Sequence, residues 1–391
     1  METKSGITSH AVITREFAQT LAACVEELLP SGHIGVVFEM SDSALADDIS
    51  SALGVQKFKI SRFSYADDTP ASHEAAEDVV QAPESIRLLI CAGNNIADIT
   101  KLAAKKKGVP WILCPSGPDI LPAAQPFAAA GWGALYEYAP ADAPYSIVAD
   151  EERMKNCSGR DRAAAYASLY AQRLHCAENA CENLLFGKNE IDAQALADIC
   201  AQALQEADDL AQYSLKAALE KQKCGLEGEG GARRLARTVS AVSDDGRSVS
   251  ENCFVCTRVL TDIYRMTLSY TGADIFIPPD RAACAAALGR LCGGDKISLI
   301  SKLQCGGDFE RTAYVMEEYR ADMCAVLDKL KENEKIFARN FRRMYEDAGF
   351  WLGKYVRPSD LIYIAALSLP LMDRTSLAGA VADKGLINLL F

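Results

Sequence analysis

The sequence predicts an α/β domain built on a mostly parallel sheet over residues 1–155, followed by an all-α domain over residues 156–391. In the first stretch, short apolar runs rich in β-branched residues alternate with helix-length amphipathic segments, as strands and crossover helices do in a parallel sheet. After about Asp150 the strand pattern stops and Ala- and Leu-rich helical periodicity takes over. A chain of 391 residues, 49% of them hydrophobic, is also too long for one core, so two domains are expected.

In order, residues 12–29 read as an amphipathic helix, 33–38 (HIGVVF) as a buried strand and 43–53 as a helix. Residues 86–91 (IRLLIC) form a second strand, 98–106 a helix and 110–114 a third strand. Long helical patterns cover 161–186 and 192–221. Residues 225–231 (GLEGEGG) break the helical part, and the polar 243–250 (SDDGRSVS) read as another loop. No internal repeat or low-complexity segment is visible.

The formal net charge of -12 and pI near 5.0 repel nucleic-acid backbones and anionic membrane surfaces. A small-molecule ligand is therefore the expected partner, without nucleic acid or membrane, and a homo-oligomer is compatible with this composition. The longest apolar run, 361–372, falls far short of the roughly 20 residues of a membrane span and contains Pro370. Residues 1–30 carry Lys4, Arg15, Glu16, Glu26 and Glu27 and lack a secretory apolar stretch, so the expectation is a cytoplasmic protein. The 14 cysteines are scattered through a chain with its own core and read as reduced thiols. Cys253 and Cys256 form a CxxC with no second one at ligand spacing: core cysteines on a helix, with a redox pair or half a metal site as alternatives.

The strand over 86–91 runs into Ala92-Gly93-Asn94-Asn95 and a helix from near Ile96, which aims helix N-terminal amides at the strand's C-terminal end. That geometry binds anions, although the same residues suit any tight strand-to-helix turn. Glu39, just past residues 33–38, reads either as a contact to ribose hydroxyls or as a solvated residue. Lys105, Lys106 and Lys107 complement a helix C-terminus. Arg233, Arg234 and Arg237 follow the glycine break as a solvated face or a phosphate site.

Residues 92–101 (AGNNIADITK), Val109-Pro110 and Cys114-Pro115-Ser116 resemble the iron-containing alcohol dehydrogenase and dehydroquinate synthase superfamily. So do Ala143-Pro144, residues 147–150 (IVAD), Asp373-Arg374-Thr375 and Gly385-Leu386. The short stretch from Pro115 to Asp150 lacks the lysine-containing insert of dehydroquinate synthases and so fits the dehydrogenase branch; within the superfamily the chain most resembles glycerol-1-phosphate dehydrogenase. The resemblance, over residues 30–391, implies a Rossmann-like domain and a cofactor, NAD or NADP, at Gly93, Asn94, Asn95, Asp98, Ser116 and Glu39. It also implies a substrate in the interdomain cleft and a divalent metal held by an aspartate and two histidines, which polarises the substrate hydroxyl.

At those metal positions this chain has Ser168, Asn252 and Thr271, neutral groups that do not offset the desolvation of a dication. No zinc or iron is therefore expected. The chain's histidines are His10, His33, His73 and His175; only His175, seven residues past Ser168, falls in the second domain. Glu251 reads as a helix cap or as a ligand for a loosely held hard ion. Leu121 replaces the substrate-contacting aspartate, with Asp119 two residues earlier. Asn94 and Asn95 stand where the family has glycines, which weakens nucleotide binding. The expected protein is a divergent glycerol-1-phosphate dehydrogenase-like chain that lacks the catalytic metal and binds a nucleotide or a phosphorylated polyol without redox chemistry. The alternative is an active NAD(P)-dependent oxidoreductase using Tyr166 or Asp119 as a base.

Overall fold

The centre of the sheet is written in near-continuous apolar runs, because helices cover both of its faces. The computed structural model describes residues 7–54, 57–67, 69–132, 135–187, 191–242, 247–269, 279–291, 315–347, 358–372 and 376–383. Strands β1 (His10–Thr14), β2 (Gly32–Glu39), β3 (Phe58–Tyr65), β4 (Ile86–Ala92) and β5 (Trp111–Cys114) are followed by β6 (Phe127–Trp132), β7 (Leu135–Pro140) and β8 (Ser146–Asp150). Six of them form one sheet in the order β1-β8-β5-β4-β2-β3, every neighbouring pair parallel. β6 and β7 pair with each other.

Helices α1 (Phe17–Leu28), α2 (Ser43–Leu53), α3 (His73–Val80), α4 (Ala97–Lys107), α5 (Ile120–Ala123) and α6 (Glu151–Lys155) alternate with these strands. Ile34, Val36 and Phe38 share one face of the sheet with Leu88, Ile90, Ile112 and Val148, against Leu21 and Val25 of α1 and Leu45 and Ile49 of α2. Val37, Leu89, Cys91, Leu113 and Ile147 are buried on the opposite face.

The expected helix over 12–29 is in part a strand. Residues 10–14 form β1, paired in parallel with β8, and the helix starts only at Phe17. β1 is a half-buried edge strand whose hydrogen-bonding partner lies well over a hundred residues away, so local periodicity does not reveal it. β3 was likewise not anticipated: in its FKISRFSY, at the other edge, only Phe58 is buried and the rest are half-buried or exposed.

Contact density divides the chain into two units. One comprises Met1–Trp132, Tyr136–Ala165 and Asp209–Gly228; the other comprises Gly133–Leu135, Tyr166–Asp208 and Glu229–Phe391. This differs from a single cut at residue 155. After α7 (Gly159–Phe186), the expected helical run 192–221 is two helices, α8 (Gln194–Glu206) and α9 (Leu210–Cys224). Ala207 and Asp209 between them take positive φ values of 57° and 44°, which stops a helix. α9 belongs to the sheet unit. Its Ser214 hydroxyl accepts from the Leu121 amide at 2.9 Å, the Gln222 side chain donates to the Ala124 carbonyl at 2.7 Å, and Gln222 Oε1 accepts from the Thr8 amide at 2.9 Å.

The described elements after β8 are all helices: beyond α9 come α10 (Gly231–Val242), α11 (Val249–Ser269), α12 (Arg281–Leu291), α13 (Arg320–Lys331), α14 (Glu334–Asp347), α15 (Pro358–Ser368) and α16 (Leu377–Asp383). The second unit has an aromatic core in which Phe254 of α11 stacks on Phe341 of α14 at 3.9 Å between ring centres. Tyr166, Tyr170, Phe337 and Tyr345 surround them. Cys253 and Cys256 are fully buried on α11, the core-cysteine reading, and burial pushes the Cys256 thiol well above its usual range. No described helix is long and apolar enough to cross a membrane. The Asp373-Arg374-Thr375 and Gly385-Leu386 motifs lie outside the described residues.

Candidate functional site

From β2 the chain moves outward to β3 at one edge, whereas from β4 it moves the other way to β5. The C-terminal ends of β2 and β4 therefore flank the point where the winding reverses, the usual ligand crevice of an open parallel sheet. Glu39 ends β2 and a short 3-10 turn, Met40–Asp42, follows; Gly93, Asn94 and Asn95 follow β4. Gly93 has φ +116°, a conformation that favours glycine, and its amide donates to the Cys114 carbonyl at 2.9 Å.

Of the expected nucleotide residues, Asn94 is bonded to Ser116 and Asn95 to Glu39. The Asn94 amide group donates to the Gly117 and Asp119 carbonyls at 3.1 and 3.0 Å, and its oxygen accepts from the Ser116 amide at 3.2 Å. Asn95 donates to Glu39 at 3.3 Å, and Glu39 is only 2% exposed, so its solvated reading does not hold. Asp98, in the first turn of α4, pairs with Lys101 at 2.9 Å. The Lys101 side chain is fully buried, and its ammonium also donates to the Phe127 carbonyl at 3.0 Å. The Lys105 and Lys106 side chains make exposed ion pairs with Asp142 and Glu77.

Asp42 belongs to this group, and sequence reasoning missed it. An aspartate just before a helix reads as an N-cap; here its side chain makes no cap bond and instead interacts with the Ser116 side chain. A Cβ placed on Gly93 would stand 2.1 Å from Asp42 Oδ2, so the carboxyl fills the space above the glycine. Burial pushes the Asp42 carboxyl up to about 6, against the hydrogen bond from Ser116 and the charge of Arg153.

A second polar cluster lies within the helical unit. Glu178 of α7 accepts from the Gly231 amide at the start of α10 at 2.9 Å and from the Tyr264 hydroxyl at 2.6 Å. Complete burial raises its carboxyl to about 7. Gly230 and Gly231 make this approach sterically open: a Cβ on either would meet His175 Cβ or Glu178 Oε1 at 2.6 Å. The arginines after the glycine break do not form a solvated face. Glu229 accepts from Arg237 at 2.8 and 2.5 Å and from Arg233 at 3.1 Å, and the Arg234 guanidinium donates to the Glu229 carbonyl at 3.0 Å. The Arg233 guanidinium reaches on to the Ser168 hydroxyl at 3.2 Å and the Ser250 hydroxyl at 3.1 Å.

Asn252, two positions from Ser250 on α11, turns instead to the Ser240 hydroxyl at 2.8 Å. Glu251 takes the helix-cap role: its carboxylate accepts from the Ser248 amide at 2.6 Å, and its own amide donates to the Ser248 hydroxyl at 3.2 Å. Tyr166 is fully buried and donates to the Leu204 carbonyl at 2.7 Å, with burial raising its phenol. Leu121 is buried in the sheet unit, its amide bonded to Ser214.

Among solved structures, the chain is similar to a 1,3-propanediol oxidoreductase, at 12% identity over 99% of this chain and 100% of that one, with a TM-score of 0.58. A glycerol dehydrogenase from Schizosaccharomyces pombe matches at 14% identity over 92% and 96%, TM-score 0.54. An iron-containing alcohol dehydrogenase from Corynebacterium glutamicum matches at 13% identity over 98% and 97%, TM-score 0.54. No family model and no curated protein matches the chain. The chain has the fold of the iron-containing alcohol dehydrogenases.

Of the three positions that the resemblance assigns to metal ligands, two are described, and both carry neutral side chains engaged with other residues. Thr271 lies outside the described residues. Ser168 is bonded to a guanidinium, Asn252 is turned to Ser240, and among the described residues no group of three or more His, Cys, Asp or Glu side chains could hold an ion. The Arg233 cation stands where Ser168 and α11 approach each other, and neutral hydroxyls beside it offer a dication nothing to offset repulsion. Ser168→Asp is therefore expected to form an ion pair with Arg233 and to confer no zinc affinity. Retention of about one zinc per variant chain after dialysis would show that Arg233 does not hold that position.

Proposed function

We propose that this chain is a divergent, metal-independent relative of the glycerol-1-phosphate dehydrogenases that binds a nucleotide or a phosphorylated polyol without hydride transfer. The observation that carries this reading is the Arg233 guanidinium bonded to Ser168 and Ser250. On this reading Arg233 occupies the side of Ser168 that the resemblance gives to a metal, and so replaces the Lewis acid on which the family's alcohol chemistry depends. The nucleotide half of the reading rests on Gly93, Asn94, Asn95, Ser116 and Glu39 gathering at the switch point of the sheet. The oxidoreductase reading draws less support. Tyr166, one of its two candidate bases, is buried with its hydroxyl committed to the Leu204 carbonyl.

Elemental analysis of the dialysed protein is expected to find zinc, iron and nickel far below one equivalent per chain. Mixtures of NAD or NADP with glycerol or glycerol phosphates should form no reduced nicotinamide, with or without those metals added. About one equivalent of bound metal, or turnover that depends on added metal, overturns the reading. Turnover without metal favours the oxidoreductase instead.

A further inference from the structure

The glycine turn carries an anion of its own. Asp42 gives up the cap bond to its own helix, and its carboxyl is placed over Gly93, in the space left by the missing Cβ. In a strand-to-helix turn at a sheet's switch point, that open space is what lets a phosphate reach the backbone. We propose that Asp42 is the specificity-determining residue of the nucleotide turn: its carboxylate holds a phosphate's place on Gly93, so a dinucleotide pyrophosphate binds only when Asp42 is neutral or displaced. The proposal rests on the nucleotide reading above.

Ser116 and Arg153 favour the Asp42 carboxylate, whereas Asp67 and Asp161 oppose it. Ser116, in the loop between β5 and α5, bonds the carboxyl, and Arg153 of α6 attracts it, although Arg153 is itself paired with Asp48 at 2.9 Å. Asp67, after β3, and Asp161 of α7 add negative charge at the same edge. Glu39 closes the end of β2 and is held by Asn95. An incoming pyrophosphate therefore meets several carboxylates and a single nearby guanidinium among the groups acting on Asp42. Because burial raises the Asp42 carboxyl to about 6, mild acidification neutralises it without protonating a pyrophosphate diester. Acid should therefore favour dinucleotide binding.

The test is a titration of the full-length protein with NADH, followed by its fluorescence, at about pH 7.5 and about pH 5.5. The wild-type chain should bind about tenfold or more tightly at the lower pH. Asp42→Asn and Asp42→Ala should bind at the higher pH with at least that gain and lose most of the pH dependence. Adenosine, which has no phosphate, should respond to neither change. If NADH binds the wild type and both variants equally at the higher pH, the Asp42 proposal is overturned and the nucleotide reading stands. If NADH binds none of the three at either pH, both fail. The wild-type pH comparison decides the matter even where a variant does not fold.

Discussion

Glu229→Ala is expected to destabilise the helical unit by about 3–5 kcal/mol, the range for removing one partner of a buried ion pair. Glu229 is 5% exposed on its side chain and serves two guanidinium groups, Arg233 at 16% and Arg237 at 11% exposure. The desolvation of those cations persists in the variant, while the carboxylate that offsets it is gone. Glu229→Gln keeps one acceptor oxygen and should cost less than the alanine, so the order of the two losses separates charge from packing. Urea unfolding followed by circular dichroism measures both; a loss below about 1 kcal/mol for the alanine would place Glu229 among ordinary surface pairs.

Glu178→Ala is expected to cost about 2–4 kcal/mol, because it leaves the buried Gly231 amide and Tyr264 hydroxyl without their acceptor and opens a cavity. Glu178→Gln should behave differently with pH. The wild-type carboxyl is raised from 4.5 to about 7 in the folded chain by burial. Its contribution to stability is therefore fully present below the unfolded value and is lost as pH rises towards about 7. The glutamine, which does not titrate and can still accept from Tyr264, removes that slope. Above neutrality it should equal or exceed the wild type by on the order of 1–3 kcal/mol. A wild-type stability that is flat between these pH values, or that rises with pH and loses the rise in the variant, would contradict the assignment.

Some features were legible in the sequence because they are local or compositional. β2, β4 and β5 stood out as continuous apolar runs since both faces of the sheet centre are covered. The turn from Gly93 into α4 was legible because strand, glycine and helix are adjacent in the chain. The edge strands β1 and β3 were not legible: one face of each meets solvent, so apolar content falls and only the ladder to a neighbour identifies the strand. α9 reads like any helix of the second half, and only its bonds to Leu121, Ala124 and Thr8 assign it to the sheet unit.

By itself, then, the sequence determined the alternating α/β half, the helical half and a phosphate-type turn stripped of its usual glycines. It also determined which residue types stand at the positions that the resemblance assigns to metal ligands. The tertiary structure decided what fills those places. Asp42, a helix cap by position, is turned onto Gly93 from across the sheet edge, and Arg233 crosses 65 residues to bond Ser168. Periodicity and capping rules reach only a few residues along the chain, whereas a buried charge is satisfied by whichever group the fold brings within hydrogen-bonding distance.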